Sequence, residues 1–230
     1  MPIGTWTKDT LHLHVDEISA AARELEKAHP TDIVRWAADR VGSAITVTCS
    51  FEDAVLAHVA ATAVPGIEIV MIDTQYVFAE THWLANELKN NNGINLRVVH
   101  PLNVTPDNLW QRDTTACCNV RKVEPLNALL AENAGWVTGV RRVDGPTRAD
   151  TPVLSFDAAR SVLKVNPLAL YSDEEMESYE YLFELPRNPL KDRGYPSIGC
   201  WPCTKPVAPG EDKRAGRWAG EAKTECGLHV

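Results

Sequence analysis

Short runs rich in β-branched residues alternate with helical segments through the middle of this chain, and that alternation restricts the fold more than any other feature. Ile45-Thr46-Val47-Thr48 reads as a buried strand that runs through Cys49-Ser50-Phe51 into a helix over about 52–63. Residues 67–72 form a second apolar run ending in Asp73-Thr74, followed by a helix over 78–89 and a strand over 96–100. A helix over 120–132 then leads to a strand over 136–139. Strands and helices alternating at these lengths predict an α/β fold with a parallel sheet covered on both faces. Ligands of such sheets bind beyond the carboxyl ends of the strands, where Ser50, Asp73, Thr74, Arg141 and Arg142 fall.

The flanks complete the outline. Two helical segments, 15–28 and 31–41, come first, and Thr31 and Asp32 suit the start of the second. Residues 144–152 read as a loop turning at Gly145-Pro146, and 162–165 as a further strand or an edge. Ser172-Asp173-Glu174-Glu175 matches a capping box and starts a helix reaching about Phe183. Beyond Leu185 prolines and glycines become frequent. The organisation expected is an N-terminal helical segment (1–43), an α/β core (44–186) and a loop-rich tail (187–230), together one domain in a chain of 230 residues.

Charge narrows the function. Lys and Arg total 23 against 31 Asp and Glu, a formal net charge of -8. Binding nucleic acid requires a cationic surface, so that class is disfavoured, while a small anion remains possible where basic residues gather locally. The first 14 residues hold no apolar run of signal-peptide length, and no later run approaches a membrane span. The expectation is a cytoplasmic protein without a membrane partner, in which thiols stay reduced. Its six cysteines are then candidates for metal binding or catalysis before crosslinking.

Cys200-Trp201-Pro202-Cys203 is a C-x-x-C pair that alone fits zinc, an iron–sulfur cluster or a redox dithiol. Its place in a Gly/Pro-rich loop late in the chain disfavours the dithiol. Cys117 and Cys118 are adjacent, and neighbouring helical side chains diverge by about 100°, which is awkward for one zinc ion and easier for a cluster with several irons. One such pair alone reads as small buried hydrophobes; two together favour metal. Cys226 stands apart near the end, beside Gly227 and after Lys213, Arg214, Arg217 and Lys223, an exposed thiol with cationic neighbours that favour its thiolate. Cys49 ends a buried strand and reads as structural.

Basic residues in this acidic chain cluster beside these motifs: Arg121-Lys122, Arg141-Arg142, and Arg214 with Arg217. Arginine pairs anions bidentately, so the coincidence points to a phosphate- or sulfate-bearing ligand. Neither a G-x-G-x-x-G nor a Walker loop is present.

Cys117-Cys118-x-x-Arg121-Lys122, Cys200-x-x-Cys203 and Glu225-Cys226-Gly227-Leu228-His229 together resemble the assimilatory adenylyl-sulfate (APS) reductases, the iron–sulfur branch of the APS/PAPS reductase family. Ser50-Phe51-Glu52-Asp53, Ile72-Asp73-Thr74, Thr138-Gly139-Val140-Arg141-Arg142, Lys164-Val165-Asn166-Pro167-Leu168 and Arg214-Ala215-Gly216-Arg217-Trp218 add to the likeness, which runs from about residue 44 to the end. The resemblance implies an adenine nucleotide α-hydrolase-like (PP-loop) fold and a 4Fe–4S cluster on Cys117, Cys118, Cys200 and Cys203. It also implies phosphosulfate contacts from Lys122, Arg141, Arg142, Arg214 and Arg217, and a nucleotide pocket lined by Ser50, Asp73 and Thr74. Two departures stand out: the Ser50–Asp53 loop lacks the glycines of ATP-cleaving relatives, and Gln75 follows Asp73-Thr74 where glycine is common.

The activity so implied is reduction of APS to sulfite and AMP by a thioredoxin-type dithiol, through an S-sulfocysteine on Cys226, in sulfate assimilation and cysteine biosynthesis. His229 is expected either to position or activate the thiolate or to be solvated. Reduction of the 3′-phosphorylated substrate PAPS, alone or alongside APS, is the nearest rival, and a non-catalytic zinc-binding module or an ATP-cleaving enzyme the more distant ones. The sequence leaves a homo-oligomer open.

Overall fold

The computed structural model describes residues 5–102, 104, 107–220, 223 and 225–229. Its centre is a six-stranded sheet: β1 (Ile45–Thr48), β2 (Glu68–Ile72), β3 (Asn95–Val99), β4 (Gly135–Val137), β5 (Leu154–Asp157) and β6 (Val162–Val165), in the spatial order β3-β2-β1-β4-β6-β5. All pairings are parallel except β5 with β6. β1 and β4 are buried along nearly their whole length, as interior strands of a parallel sheet are, whereas edge strand β3 is largely open to solvent. Gly135 lets β4 lie against β1: a Cβ there would meet Ile45 at 2.9 Å and Val41 at 3.0 Å.

Helices α1 (Val15–Glu24), α2 (Pro30–Val41), α3 (Val55–Ala63) and α4 (Ala79–Asn91) cover the sheet. Leu11, Ile18, Ile33 and Val34 from before β1 belong to the same core as Val47, Ile69 and Val165. The start of α2 differs from the sequence expectation. Its N-cap is His29, whose ring accepts from the Thr31 N–H at 3.4 Å, with Pro30 opening the first turn.

Two further departures matter for the site. The expected helix over 120–132 is two pieces, a π-helical turn, Asn119–Val123, and α7 (Glu124–Ala131), and two short helices that the sequence does not announce, α5 (Leu109–Arg112) and α6 (Thr114–Cys118), lead into it. The expected loop over 144–152 holds a short 3₁₀ turn, Pro146–Arg148, and another, Arg142–Asp144, ends at its first residue. Helix α8 (Asp173–Leu182) starts at the expected capping box, with Glu175 N–H on Ser172 Oγ at 3.1 Å and Ser172 N–H on Glu175 Oε2 at 2.7 Å. No helix among the described residues is long and apolar enough to cross a membrane.

Candidate active site

The strand order reverses direction at β1, between β2 on one side and β4 on the other, and a cavity of about 230 Å³ opens beyond their carboxyl ends. Its floor is the loop after β1. Ser50 faces the opening, and buried Phe51 takes a left-handed φ of 51° that non-glycine residues adopt at a cost of about 1–2 kcal/mol. Asn188 from the tail holds this turn, donating from Nδ2 to the Phe51 carbonyl at 3.1 Å. Glu52 ties the same loop to the tail by accepting the Ile198 N–H at 2.9 Å, and burial raises its carboxyl above the usual range.

After β2, Thr74 lines the cavity and its Oγ1 lies 3.2 Å from Cys200 Sγ. Asp73 is not among the lining residues; its carboxylate accepts the Gln75 N–H at 2.8 Å and faces His82 and His100, each at 3.5 Å. Gln75 occupies the left-handed region at φ 67°, as the glycine common there would. Its side chain spans the turn, donating to the Val104 carbonyl at 2.8 Å and accepting from Arg121.

Six basic side chains line the cavity: Lys122, Arg141, Arg148, Lys213, Arg214 and Arg217. They divide by what holds them. Arg141 and Lys213 are bound to acids: Arg141 Nη2 donates to Asp144 at 3.0 Å and to Asp173 at 2.8 Å, and Lys213 Nζ reaches the same two carboxylates at 3.1 Å. Arg217 donates to Ser197 at 3.2 Å, and its buried Nε meets no acceptor. It fills the space over Gly199, where a Cβ would lie 2.3 Å from Nη2. Burial, with the guanidiniums of Arg148 and Arg217, pushes Arg214 below the usual arginine range, which shows how closely the cations are gathered. For Lys122 burial works against the charge, but the thiols of Cys200 and Cys226 outweigh it and the amine is raised.

Arg142 is absent from this wall. Its Nε donates to the Thr151 carbonyl at 2.9 Å and Nη1 pairs with Glu26, in the turn between α1 and α2, at 2.8 Å, so it braces the fold outside the cavity. Arg148, six residues on, takes a place in the wall that the sequence reading does not assign, because it lies in a stretch read as plain loop.

Cys226 is half-buried and lines the cavity, near enough to Lys122 and Arg148 to influence the charge of both. Lys223 turns elsewhere, donating to the Thr114 carbonyl at 3.0 Å. His229 is not solvated: its ring stacks on Trp136 of β4, its Nδ1 is buried without a partner, and burial plus Lys164 and Arg148 hold it well below its ordinary pKa.

A second, smaller cavity adjoins the first, and Cys117, Cys118, Cys200 and Cys203 all line it. None is in a disulfide. Burial, followed by the thiols of Cys200, Cys118 and Cys117, pushes Cys203 up to about 11. The lining contains no histidine or carboxylate, so its thiols are the strong metal donors there, beside the hydroxyls of Tyr76 and Thr114 and with Arg121, Lys122 and Arg217 alongside. Among the described residues no three His, Cys, Asp or Glu side chains are grouped to hold a single metal ion. Lys122, Cys200, Arg217 and Trp218 line both cavities. Cys49, by contrast, is buried at the end of β1, with its thiol raised to about 12 by burial.

The comparisons with known proteins agree with this layout. The phosphoadenosine phosphosulfate reductase domain family matches residues 44–206. Adenosine 5′-phosphosulfate reductase of Rhodococcus opacus is 42% identical over 226 residues, spanning 91% of this chain and 92% of the relative. The phosphoadenylyl-sulfate (PAPS) reductase of Candida auris superposes with a TM-score of 0.72 at 23% identity, over 83% of this chain and 97% of that one. FMN adenylyltransferase of Candida glabrata does so with a TM-score of 0.57 at 13% identity, over 86% and 75%. The structural likenesses establish the fold, an α/β sheet of the adenine nucleotide α-hydrolase type. With the family match over the whole sheet and curated relatives along nearly the whole length, the chain belongs to the phosphoadenosine phosphosulfate reductase family.

Proposed function

We propose that this chain reduces adenosine 5′-phosphosulfate to sulfite and AMP, with Cys226 as the nucleophile. The observation that carries the reading is the meeting of a thiol, a cationic wall and a strand-end crevice in one cavity. The substrate named for the curated relative, 42% identical along nearly its whole length, supports APS.

The adenosine end fits the crevice at Ser50 and Thr74, and the phosphosulfate fits the wall of Lys122, Arg214 and Arg217, with Arg148 behind them held by Glu225 and Asp144. The Cys226 thiolate attacks the sulfate sulfur, the S–O bond to phosphorus breaks, and AMP leaves while Cys226 keeps the SO₃ group. Lys122 and the arginines stabilise charge as it develops on the bridging oxygen. A thiolate of a thioredoxin-type dithiol then attacks Cys226 Sγ and expels sulfite. Its second thiol resolves the mixed disulfide, which restores Cys226 and supplies both electrons. Because Cys226 is only half-buried and faces inward, this second step requires the tail to leave the cavity.

We further propose that Cys117, Cys118, Cys200 and Cys203 hold a 4Fe–4S cluster, since four free thiols with no histidine or carboxylate among them are the donor set such a cluster takes. Bound there, it would supply fixed geometry and charge beside Lys122. No electron transfer by it is needed.

The test is incubation of anaerobically purified protein with ³⁵S-labelled APS and no reductant. Label should appear on Cys226 in a stoichiometric burst and be released as sulfite by a dithiol. Label surviving Cys226→Ser, or no label at all, would sink the covalent step. Competition between APS and PAPS in the same assay separates the two substrates.

A further inference from the structure

Glu225 precedes the nucleophile, and its carboxylate is gripped by Arg148. Nε donates to Oε1 at 2.8 Å and Nη2 to Oε2 at 2.7 Å, the paired bonds of a bidentate fork. Thr147 Oγ1 adds a bond to Oε1 at 3.2 Å, and Arg214 Nη2 stands 3.6 Å from Oε2. The pair is shielded, at 13% and 15% side-chain exposure. Arg148 is steadied from behind by Asp144, at 3.4 Å from Nη1, and Asp144 in turn accepts the Arg141 N–H at 3.2 Å.

Among the described residues, no backbone–backbone hydrogen bond ties Glu225, Cys226, Gly227, Leu228 or His229 to the rest of the protein. Side chains carry the docking. Glu225 anchors one side of Cys226; on the other, Leu228 packs against the cluster of Leu126 and Trp136, and His229 stacks on Trp136. A shielded ion pair is hard to break one partner at a time, because the charge left behind has lost its compensation.

We propose that Arg148 and Glu225 form a latch that seats Cys226 over the anion-binding cations, with Glu225 acting as a positioning residue. The latch accounts for a tail that is held in register for the first displacement without backbone pairing that would fix it there for the second. The positioning role of Glu225 rests on Cys226 being the nucleophile, whereas the latch itself rests on the ion pair alone.

Glu225→Gln, Arg148→Glu and the exchanged pair Arg148→Glu/Glu225→Arg provide the test, each made in the full chain under anaerobic conditions. The first measurement is the rate of carbamidomethylation of Cys226 without substrate, read by peptide mass mapping. The second is the single-turnover rate of S-sulfonation by labelled APS. Each single variant should speed alkylation about tenfold, within the range for coupled charged neighbours, and Glu225→Gln should slow S-sulfonation to a similar degree. The exchanged pair should return the alkylation rate most of the way to that of the unaltered protein. Alkylation unchanged in the single variants, or an exchanged pair as fast as the two effects combined, would overturn the latch. If Cys226 of the unaltered protein takes no label while alkylation follows the expected pattern, the covalent step fails and the latch stands.

Discussion

The imidazole of His229 lies flat on the indole of Trp136, ring centroids 5.4 Å apart and planes 10° from parallel. Because Trp136 belongs to the interior strand β4, the tail rests directly on the sheet. Trp136 is itself fixed by its Nε1–H on Thr48 Oγ1 at 2.8 Å.

That stack makes tail docking sensitive to acid. Burial and the charges of Lys164, Arg148, Arg160 and Arg214 hold docked His229 well below 6.5, the value expected for a released tail. Docking therefore takes the neutral ring. Above pH 6.5 the docked fraction should be level on this account, and below it the docked-to-released ratio should fall by about tenfold per pH unit until the docked ring itself titrates. Hydrogen exchange of the tail peptide between pH 7.5 and 5.5, corrected for the intrinsic rate, reads this out. His229→Phe keeps a ring on Trp136 and should flatten the profile; an unchanged profile would refute the assignment.

Gly199→Ala is expected to act on the anion wall and spare the fold. The new Cβ would sit 2.3 Å from Arg217 Nη2, the far end of a flexible side chain that can swing off Ser197. The KM for APS should rise on the order of tenfold, the effect of one lost charge-assisted contact of about 1.5 kcal/mol, while the melting temperature moves by no more than a few degrees. Urea and thermal melts beside steady-state kinetics separate the two.

Gly216→Ala should behave in the opposite way. There a Cβ would lie 2.1 Å from the Lys205 backbone oxygen, where the two sides of the cysteine loop meet through the Lys205 N–H to Gly216 carbonyl bond at 2.9 Å and the Thr204–Arg217 bridge. No side-chain rotation relieves that contact, so a loss of about 1–3 kcal/mol in stability is expected. Iron and sulfide per chain should fall with it, and full iron content in a normally stable variant would contradict the packing.

The cysteines should also differ in reactivity. Cys49 is buried with its thiol pushed up to about 12 by burial, so at pH 8 it holds almost no thiolate. Mass mapping after brief iodoacetamide treatment of the folded protein should find Cys226 modified and Cys49 untouched, and Cys49 should react only after denaturation.

The sequence shows those parts of the fold whose burial is two-sided. Ile45–Thr48 and Val162–Val165 stand out because both of their faces are mostly covered and β-branched residues are frequent in them. β5 escapes notice because Leu154–Asp157 is a short antiparallel edge whose last three residues are only partly buried. In the site, residue type and spacing alone single out the four paired cysteines and Cys226 as candidates. Arg142 and Arg148 are not distinguishable that way: both are loop arginines, and two 3₁₀ turns decide that one meets Glu26 and the other the cavity. Asp73 likewise looks like a strand-end ligand, but its carboxylate closes the turn at Gln75.

The π-helical turn at Asn119–Val123 has a consequence for how insertions and deletions would be tolerated. One residue fewer there would give an ordinary α-helix, with better local geometry. Each residue of an α-helix advances about 100°, so the same deletion would rotate Cys117 and Cys118 by roughly that much relative to Leu126 and Leu130, which are locked in the core of α7. A shortened variant should be selectable for heat resistance and yet lose the alignment of its thiols. In this segment helical regularity and the aim of the cysteines are alternatives, and the chain carries the extra residue that favours aim.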